Sequence, residues 1–245
     1  MNFSRSLIKW YELNKRELPW RNTRDAYKIW ISEVILQQTK VKYGLKYYLK
    51  FLQKFPTIYD LSNAKENAVL KVWEGLGYYS RARNLHYTSK FIVNQLNGKF
   101  PNSYLEILNL KGIGPYTAAA ISSFAFKLPF AVLDGNVIRL LSRYFGIKVP
   151  FDNQRGKKLF QQLSQELLND NIPDLHNQAI MDFGALICKP KLPKCDVCHF
   201  NNLCYAFNYN LVKKLPIKQK IIKIKKRYIN YLIIENNNFC FVIGL

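Results

Sequence analysis

The chain has 245 residues, 49% of them hydrophobic, enough for one large domain or two modest ones with real cores. Thirty-seven Lys and Arg face 16 Asp and Glu, a formal net charge of +21. That excess suits a polyanion, because each phosphate neutralised by a cation releases a condensed counterion. An acidic protein or a membrane surface could take the same charge, and much of its size follows from Lys, Asn, Ile and Tyr enrichment of the AT-rich kind. An aromatic content of 15% tilts the choice towards nucleic acid, where rings stack or wedge between bases. No apolar run approaches the ~20 residues that a membrane span needs. Met1-Asn2-Phe3-Ser4-Arg5 leads into an amphipathic stretch and not an apolar signal core. The chain is therefore expected in the cytosol, where thiols stay reduced and free for metal.

In chain order, the pattern is helical up to about residue 210. Asp25 can cap a helix over residues 26–39, and Pro56 and Pro101 fall in connections between helices. Gly75-Leu76-Gly77 and Gly112-Ile113-Gly114 punctuate two further joints. Ile121, Phe124, Ala125 and Leu128 recur at helical spacing. Residues 213–227 then carry eight cations and no acid, as a basic linker would. Residues 228–234 and 239–243 read as two short strands around Glu235-Asn236-Asn237-Asn238. A lone hairpin is marginal in water, so the pair is expected to open a further domain.

Within the helical part, Glu33 interrupts the apolar run Ile29-Trp30-Ile31-Ser32-Glu33-Val34-Ile35-Leu36. Trp30, Glu33 and Gln37 share one helical face, which suits a base pocket. A carboxyl buried there would have a raised pKa and could serve as a general acid. An exposed glutamate on an outer stripe is the competing reading. Leu110-Lys111-Gly112-Ile113-Gly114-Pro115-Tyr116-Thr117 joins two helical segments. Its glycines permit a tight turn, and Pro115 suits the first turn of the next helix; amides and the positive helix end together make a phosphate site. Asp134 follows the apolar residues 130–133 and precedes a helix beginning near Val137. It is either an ordinary N-cap or a carboxylate facing a cleft. Glycoside cleavage needs such a pair, an acid for the leaving group and an anion for the oxocarbenium-like centre.

Four cysteines, Cys188, Cys195, Cys198 and Cys204, follow the pattern C-x6-C-x2-C-x5-C over 17 residues. Soft thiolates so close together imply a metal or cluster. Zinc sites usually pair two C-x2-C knuckles, and here only Cys195 and Cys198 make one. The graded spacing favours an iron–sulfur cubane, each iron taking one thiolate, with zinc the rival. His199 reads as a loop histidine, and Cys240 as a buried apolar residue.

Taken jointly these residues resemble the adenine DNA glycosylase (MutY) family, within the helix-hairpin-helix, endonuclease III-like superfamily. The resemblance runs from about Leu7 to Tyr205. It rests on Leu18-Pro19-Trp20-Arg21, Ser32–Thr39, Gly75–Asn84, Leu110–Thr117, Leu133–Val137 and the cysteine loop. It implies an all-α fold of two helical domains. A six-helix domain over 26–128 carries the helix-hairpin-helix, and 1–25 with 129–212 form a domain holding a [4Fe–4S] cluster on the four cysteines. A basic linker over 213–227 and the truncated start of a Nudix-like domain over 228–245, the short β-hairpin, would follow. The implied activity is monofunctional removal of adenine mispaired with 8-oxoguanine or guanine in double-stranded DNA, by a monomer. The adenine is flipped from the duplex. Glu33 would protonate it, and Asp134 would stabilise or transiently bond the sugar carbon. Tyr116 and Asn136 match positions that line the site, and Trp20 and Arg21 the pocket. Gly112 and Gly114 match the phosphate-binding hairpin. Gln38 and Tyr78 match contacts to the opposite strand, Tyr78 as a wedge. Bifunctional relatives carry a Schiff-base Lys where this chain has Tyr116, so strand cleavage is not expected.

Overall fold

A computed structural model describes residues 3–219, 231–236 and 239–244. Twelve helices occupy the first of these stretches. They are α1 (Phe3–Asn14), α2 (Ala26–Leu36), α3 (Val41–Lys54), α4 (Ile58–Asn63), α5 (Glu66–Trp73), α6 (Ser80–Gln95), α7 (Tyr104–Leu108), α8 (Pro115–Phe126), α9 (Gly135–Phe145), α10 (Gln154–Leu167), α11 (Pro173–Leu186) and α12 (Tyr205–Asn208). Two strands, β1 (Tyr231–Asn236) and β2 (Phe239–Gly244), pair antiparallel, with Tyr231 opposite Gly244 and Asn236 opposite Phe239. The first strand thus runs two residues past the end that its residue pattern suggests. The rest of the basic run, from Lys220 to Arg227, lies outside the described residues.

The span 26–128 holds seven helices, α2 to α8, where the resemblance implies six; two of them, α4 and α7, are only six and five residues long. At its centre lies α2, whose buried residues run round the whole helix from Ala26 to Ile35. Asp25 starts it by accepting from the Tyr27 amide at 2.9 Å. It ends at Leu36, three residues short of the expected end, and Gln37–Thr39 form a turn. The next buried helix, α8, begins at Pro115 as its residues indicate, and its Ala118-Ala119-Ala120 stretch lets it pack closely on α2. Such all-round burial marks central helices.

Helix α11 packs against α1, α8 and α9 at once, so it ties the N-terminal helix and the later helices to the centre. Gly184 makes the α9 junction possible, because a Cβ there would sit 2.8 Å from both Cβ and the carbonyl oxygen of Asn136. One apolar cluster runs through the whole assembly, from Trp30, Phe51 and Trp73 to Phe160 and Phe183. Among the described residues no helix is long and apolar enough to cross a membrane.

Candidate active site

The turn after α2, the first turn of α8 and the start of α9 open onto one cavity of about 520 Å³. Glu33, Tyr116, Asp134, Asn136, Trp20, Arg21, Gln37 and Gln38 all line it. Residues as far apart in sequence as Arg16 and Met181 share this space, and such a volume suits a flipped base or a small ligand.

Glu33 is 6% exposed, on the face of α2 that looks across at α8 and α9. Burial pushes its carboxyl up to about 7, and the nearby Asp134 charge adds to the rise. The Tyr116 hydroxyl and the Arg21 guanidinium pull the other way and are outweighed. Tyr116 also lies 3.4 Å from Met181 Sδ. Its single proton favours the carboxylate, the stronger acceptor, whenever Glu33 is ionised. The phenol itself is raised well above its usual value, first by burial and then by Glu33 and Asp134, so it stays neutral.

Asp134 satisfies both readings of its sequence context. It caps α9 by accepting from the Asn136 and Val137 amides, each at 2.8 Å, and its other oxygen accepts from Asn136 Nδ2 at 2.7 Å. The same carboxylate lines the cavity. Asn136 Oδ1 in turn accepts from Arg139 at 2.8 Å, and Arg139 donates to the carbonyls of Gly184 (2.7 Å) and Cys188 (2.6 Å). A chain of charge-assisted bonds therefore runs from Asp134 to the backbone of the first cysteine.

Arg21 is fixed from behind. Its two terminal nitrogens donate to the two oxygens of Asp182, both at 2.7 Å, and Arg16 Nε adds a bond at 2.9 Å. Burial would raise the Asp182 carboxyl, but the hydrogen bonds from Arg21 and Arg16 outweigh it and hold it below its usual value. Tyr11 packs beside this pair, with its hydroxyl 2.6 Å from Gln178 Oε1 and its ring centre 5.6 Å from the Arg21 guanidinium carbon.

One expectation needs correction. Trp30 does not face the cavity with Glu33; it is 1% exposed and packs edge-on against Phe100 at 5.6 Å. The helix turns 100° per residue, so Trp30 and Glu33 are adjacent on the surface without sharing the same opening. The aromatic wall comes from Trp20, held against Tyr48 at 5.1 Å. Asp182, Arg16, Gln178 and Arg139 escaped the sequence reading. Asp182 interrupts the apolar run Ile180-Met181-Asp182-Phe183 as Glu33 interrupts its own, and that signal could have found it.

Gln38 stands at the edge of the cavity, while Tyr78 and the hairpin glycines lie outside it. Tyr78 is 65% exposed with φ +48°, and Gln38, at the cavity mouth, has φ +56°. The hairpin glycines differ in kind. Gly112 has φ +83°, and a Cβ there would lie 2.6 Å from Asn84 Cβ. Gly114 caps α8 with no side chain serving its N-terminus, and a Cβ there would meet nothing. The first amides of α8 are thus left for an outside acceptor.

Cys188, Cys195, Cys198 and Cys204 converge on a second, apolar hollow beside Leu140, Tyr144 and Phe200. All four are free thiols. Arg143 donates to Cys188 Sγ at 3.4 Å and to the Lys189 carbonyl at 2.7 Å, so a cation is aimed at the sulfur set. Burial, then neighbouring thiols, raises Cys195; burial likewise pushes Cys198 up to about 11. Four inward thiols in an apolar hollow, with a donor on one sulfur, fit an iron–sulfur group. Among the described residues no three His, Cys, Asp or Glu side chains are set to hold a single ion.

The family profile of HhH-GPD superfamily base excision DNA repair proteins matches residues 31–170. An adenine DNA glycosylase of Buchnera aphidicola subsp. Baizongia pistaciae is 40% identical over 243 residues, 98% of this chain and 68% of the relative. The solved structure of a thermostable thymine-DNA glycosylase superposes with a TM-score of 0.78 at 31% identity, covering 84% of this chain and 95% of that one. An endonuclease III–DNA complex shares the fold, with a TM-score of 0.73 at 20% identity over 85% and 94% of the two chains. With its hairpin, its paired carboxylates and its cysteine loop in these positions, the chain belongs to the HhH-GPD superfamily of base excision DNA repair proteins and, within it, to the adenine DNA glycosylase family.

Proposed function

We propose that the chain hydrolyses the N-glycosidic bond of adenine mispaired with 8-oxoguanine or guanine in double-stranded DNA and leaves an intact abasic site. The observation that carries this is a buried carboxyl, Glu33, held near pKa 7 across one cavity from a second carboxylate, Asp134. As a member of its family the chain is a DNA N-glycosidase, a hydrolase of base excision repair.

The adenine leaves the duplex and enters the cavity, against Trp20 and Arg21. Protonated Glu33 gives its proton to a ring nitrogen of the base. The bond from the base to the sugar C1′ breaks, and its electron pair stays with the purine. Asp134 faces the positive charge that develops on the sugar and stabilises it, or bonds to it transiently. Asn136 holds the second Asp134 oxygen, and Tyr116 holds Glu33. Water then adds to C1′ and loses a proton, giving free adenine and an abasic site. Tyr116 cannot form an imine, and so no strand cleavage follows.

The hairpin at Gly112 and Gly114 binds backbone phosphate, and Gln38 and Tyr78 contact the opposite strand, Tyr78 as a wedge. Cys188, Cys195, Cys198 and Cys204 hold one [4Fe–4S] cluster, which supplies a covalent tie between the loop and the body of the protein. The helical span 26–128 and the segments 1–25 and 129–212 form two domains around the cavity. The chain works as a monomer in the cytoplasm.

The test is excision from duplexes carrying adenine opposite 8-oxoguanine, guanine or thymine, developed with and without alkali. Strand breaks that need alkali, on the first two substrates and not the third, support the reading. Breaks without alkali, or no abasic product from iron-loaded protein, overturn it.

A further inference from the structure

Arg81, in the first turn of α6, joins two segments that sequence separates by about forty positions. Its Nη1 reaches the carbonyls of Val34 at 2.7 Å, Ile35 at 3.2 Å and Gln37 at 2.9 Å. These are carbonyls at the end of α2, which have no partner within the helix. Its Nη2 reaches the carbonyls of Leu76 at 3.5 Å and Gly77 at 3.3 Å, in the turn that leads into Tyr78. The guanidinium carbon also lies 5.2 Å from the Trp73 ring centre and 5.7 Å from that of Tyr78.

Each of the two bridged segments runs into a residue with positive φ that is not glycine, Gln38 on one side and Tyr78 on the other. Such backbones persist only where their surroundings fix them. Further bonds hold the Tyr78 turn: Trp73 Nε1 to the Gly77 carbonyl at 3.1 Å, and the Tyr47 hydroxyl to the Glu74 carbonyl at 2.9 Å. Among the described residues, only the guanidinium bonds to both segments. It does so while its own Nε is buried without an acceptor, which costs stability. A bridge kept at that cost fits a geometric role more than a stabilising one.

We infer that Arg81 is a positioning residue that sets Gln38 and Tyr78 as one unit, in fixed register with Glu33 on the helix it caps. Intrusion of Tyr78 into the duplex and arrival of the flipped base at Glu33 are then geometrically linked. The inference rests on the reading of Tyr78 as the wedge.

Its test uses full-length, iron-loaded protein at saturating concentration. The substrate is a duplex with 2-aminopurine beside the target adenine, which brightens when its stacking partner leaves. Tyr78→Ala, Arg81→Lys and the double variant are compared for single-turnover excision and fluorescence rise, beside a thermal melt. Lysine keeps the charge, but one ammonium cannot serve two carbonyl sets. Each single variant is expected to slow excision about tenfold or more and to lose the fluorescence rise, and the double variant is expected to be no slower than the worse single one. A purely stabilising role would lower the melt and leave the fluorescence of folded protein intact, which overturns the inference. Multiplying losses in the double variant overturn it too. If Tyr78→Ala alone is harmless, the wedge reading itself falls, a result separate from either of those. Should Arg81→Lys not fold, Arg81→Gln carries the same comparison.

Discussion

A carboxyl with a pKa of about 7 is half protonated at neutral pH, which is where a general acid works best. Its stability cost has a definite sign. The folded value lies above the ordinary 4.5, so folding favours the protonated form. Stability from this group is complete below about 4.5 and is lost as pH rises through about 7. Glu33→Gln should therefore be more stable than the wild type at pH 8, by at most about 3.5 kcal/mol at ~1.4 kcal/mol per pH unit, with the gap closing near pH 5. The same variant should lose excision almost completely, on the order of a thousandfold. Wild-type excision should fall as pH rises past 7. Melts and single-turnover rates from pH 5 to 9 check all three. Asp182 has the opposite sign, since Arg21 and Arg16 hold its pKa down. Asp182→Asn leaves two guanidinium groups facing a neutral amide and should cost about 3–5 kcal/mol, seen as a lower denaturation midpoint at neutral pH.

The single residues that could be read from sequence were those that break an apolar pattern. Glu33 does so inside α2, and its burial follows. Trp30 misled because helical neighbours three residues apart need not face the same opening. Asp182 breaks an apolar run too, but its pairing with Arg21, and that of Arg139 with Asn136, depends on α11 passing both, and no local spacing reports those partners.

At the scale of elements, caps and turns account for where each site residue stands. Asp134 caps α9, Asp25 caps α2, and Gly114 leaves α8 open at its positive end. Those starts were legible from Asp, Pro and Gly alone, whereas the end of α2 was not. No glycine or proline marks Leu36; the helix stops where Arg81 takes its last carbonyls. In the hairpin, Gly112 combines a left-handed backbone with contact to Asn84, and Gly114 has only open space around it. Gly112→Ala should cost on the order of 1–3 kcal/mol and weaken duplex binding, while Gly114→Ala should hardly change the melt and act on binding alone. Paired melts and fluorescence-anisotropy titrations separate the two effects.

For the whole molecule, a net charge of +21 says that affinity for duplex should fall steeply with salt, whatever the sequence bound. Anisotropy titrations from 50 to 300 mM salt measure that slope; a flat response would contradict a phosphate-binding surface. The cysteine loop closes onto α9 through Arg139 and Arg143, so cluster loss should reach Asp134. Purified protein should be brown, with about four irons per chain. Cys198→Ser should lower the iron content and slow excision together, and a colourless zinc protein would contradict the assignment. The helical fold class was legible in the sequence because helical periodicity is local. The closure of the cavity by α11 was not, because it is set by packing between distant helices.

The most direct measurement is mass-spectrometric detection of the released base from a duplex with one adenine opposite 8-oxoguanine. Iron-loaded protein should release free adenine and leave the strand intact, and Asp134→Asn should release none. Release that survives Asp134→Asn, or no free adenine from the wild-type protein, would contradict the proposal that these two carboxylates remove the base.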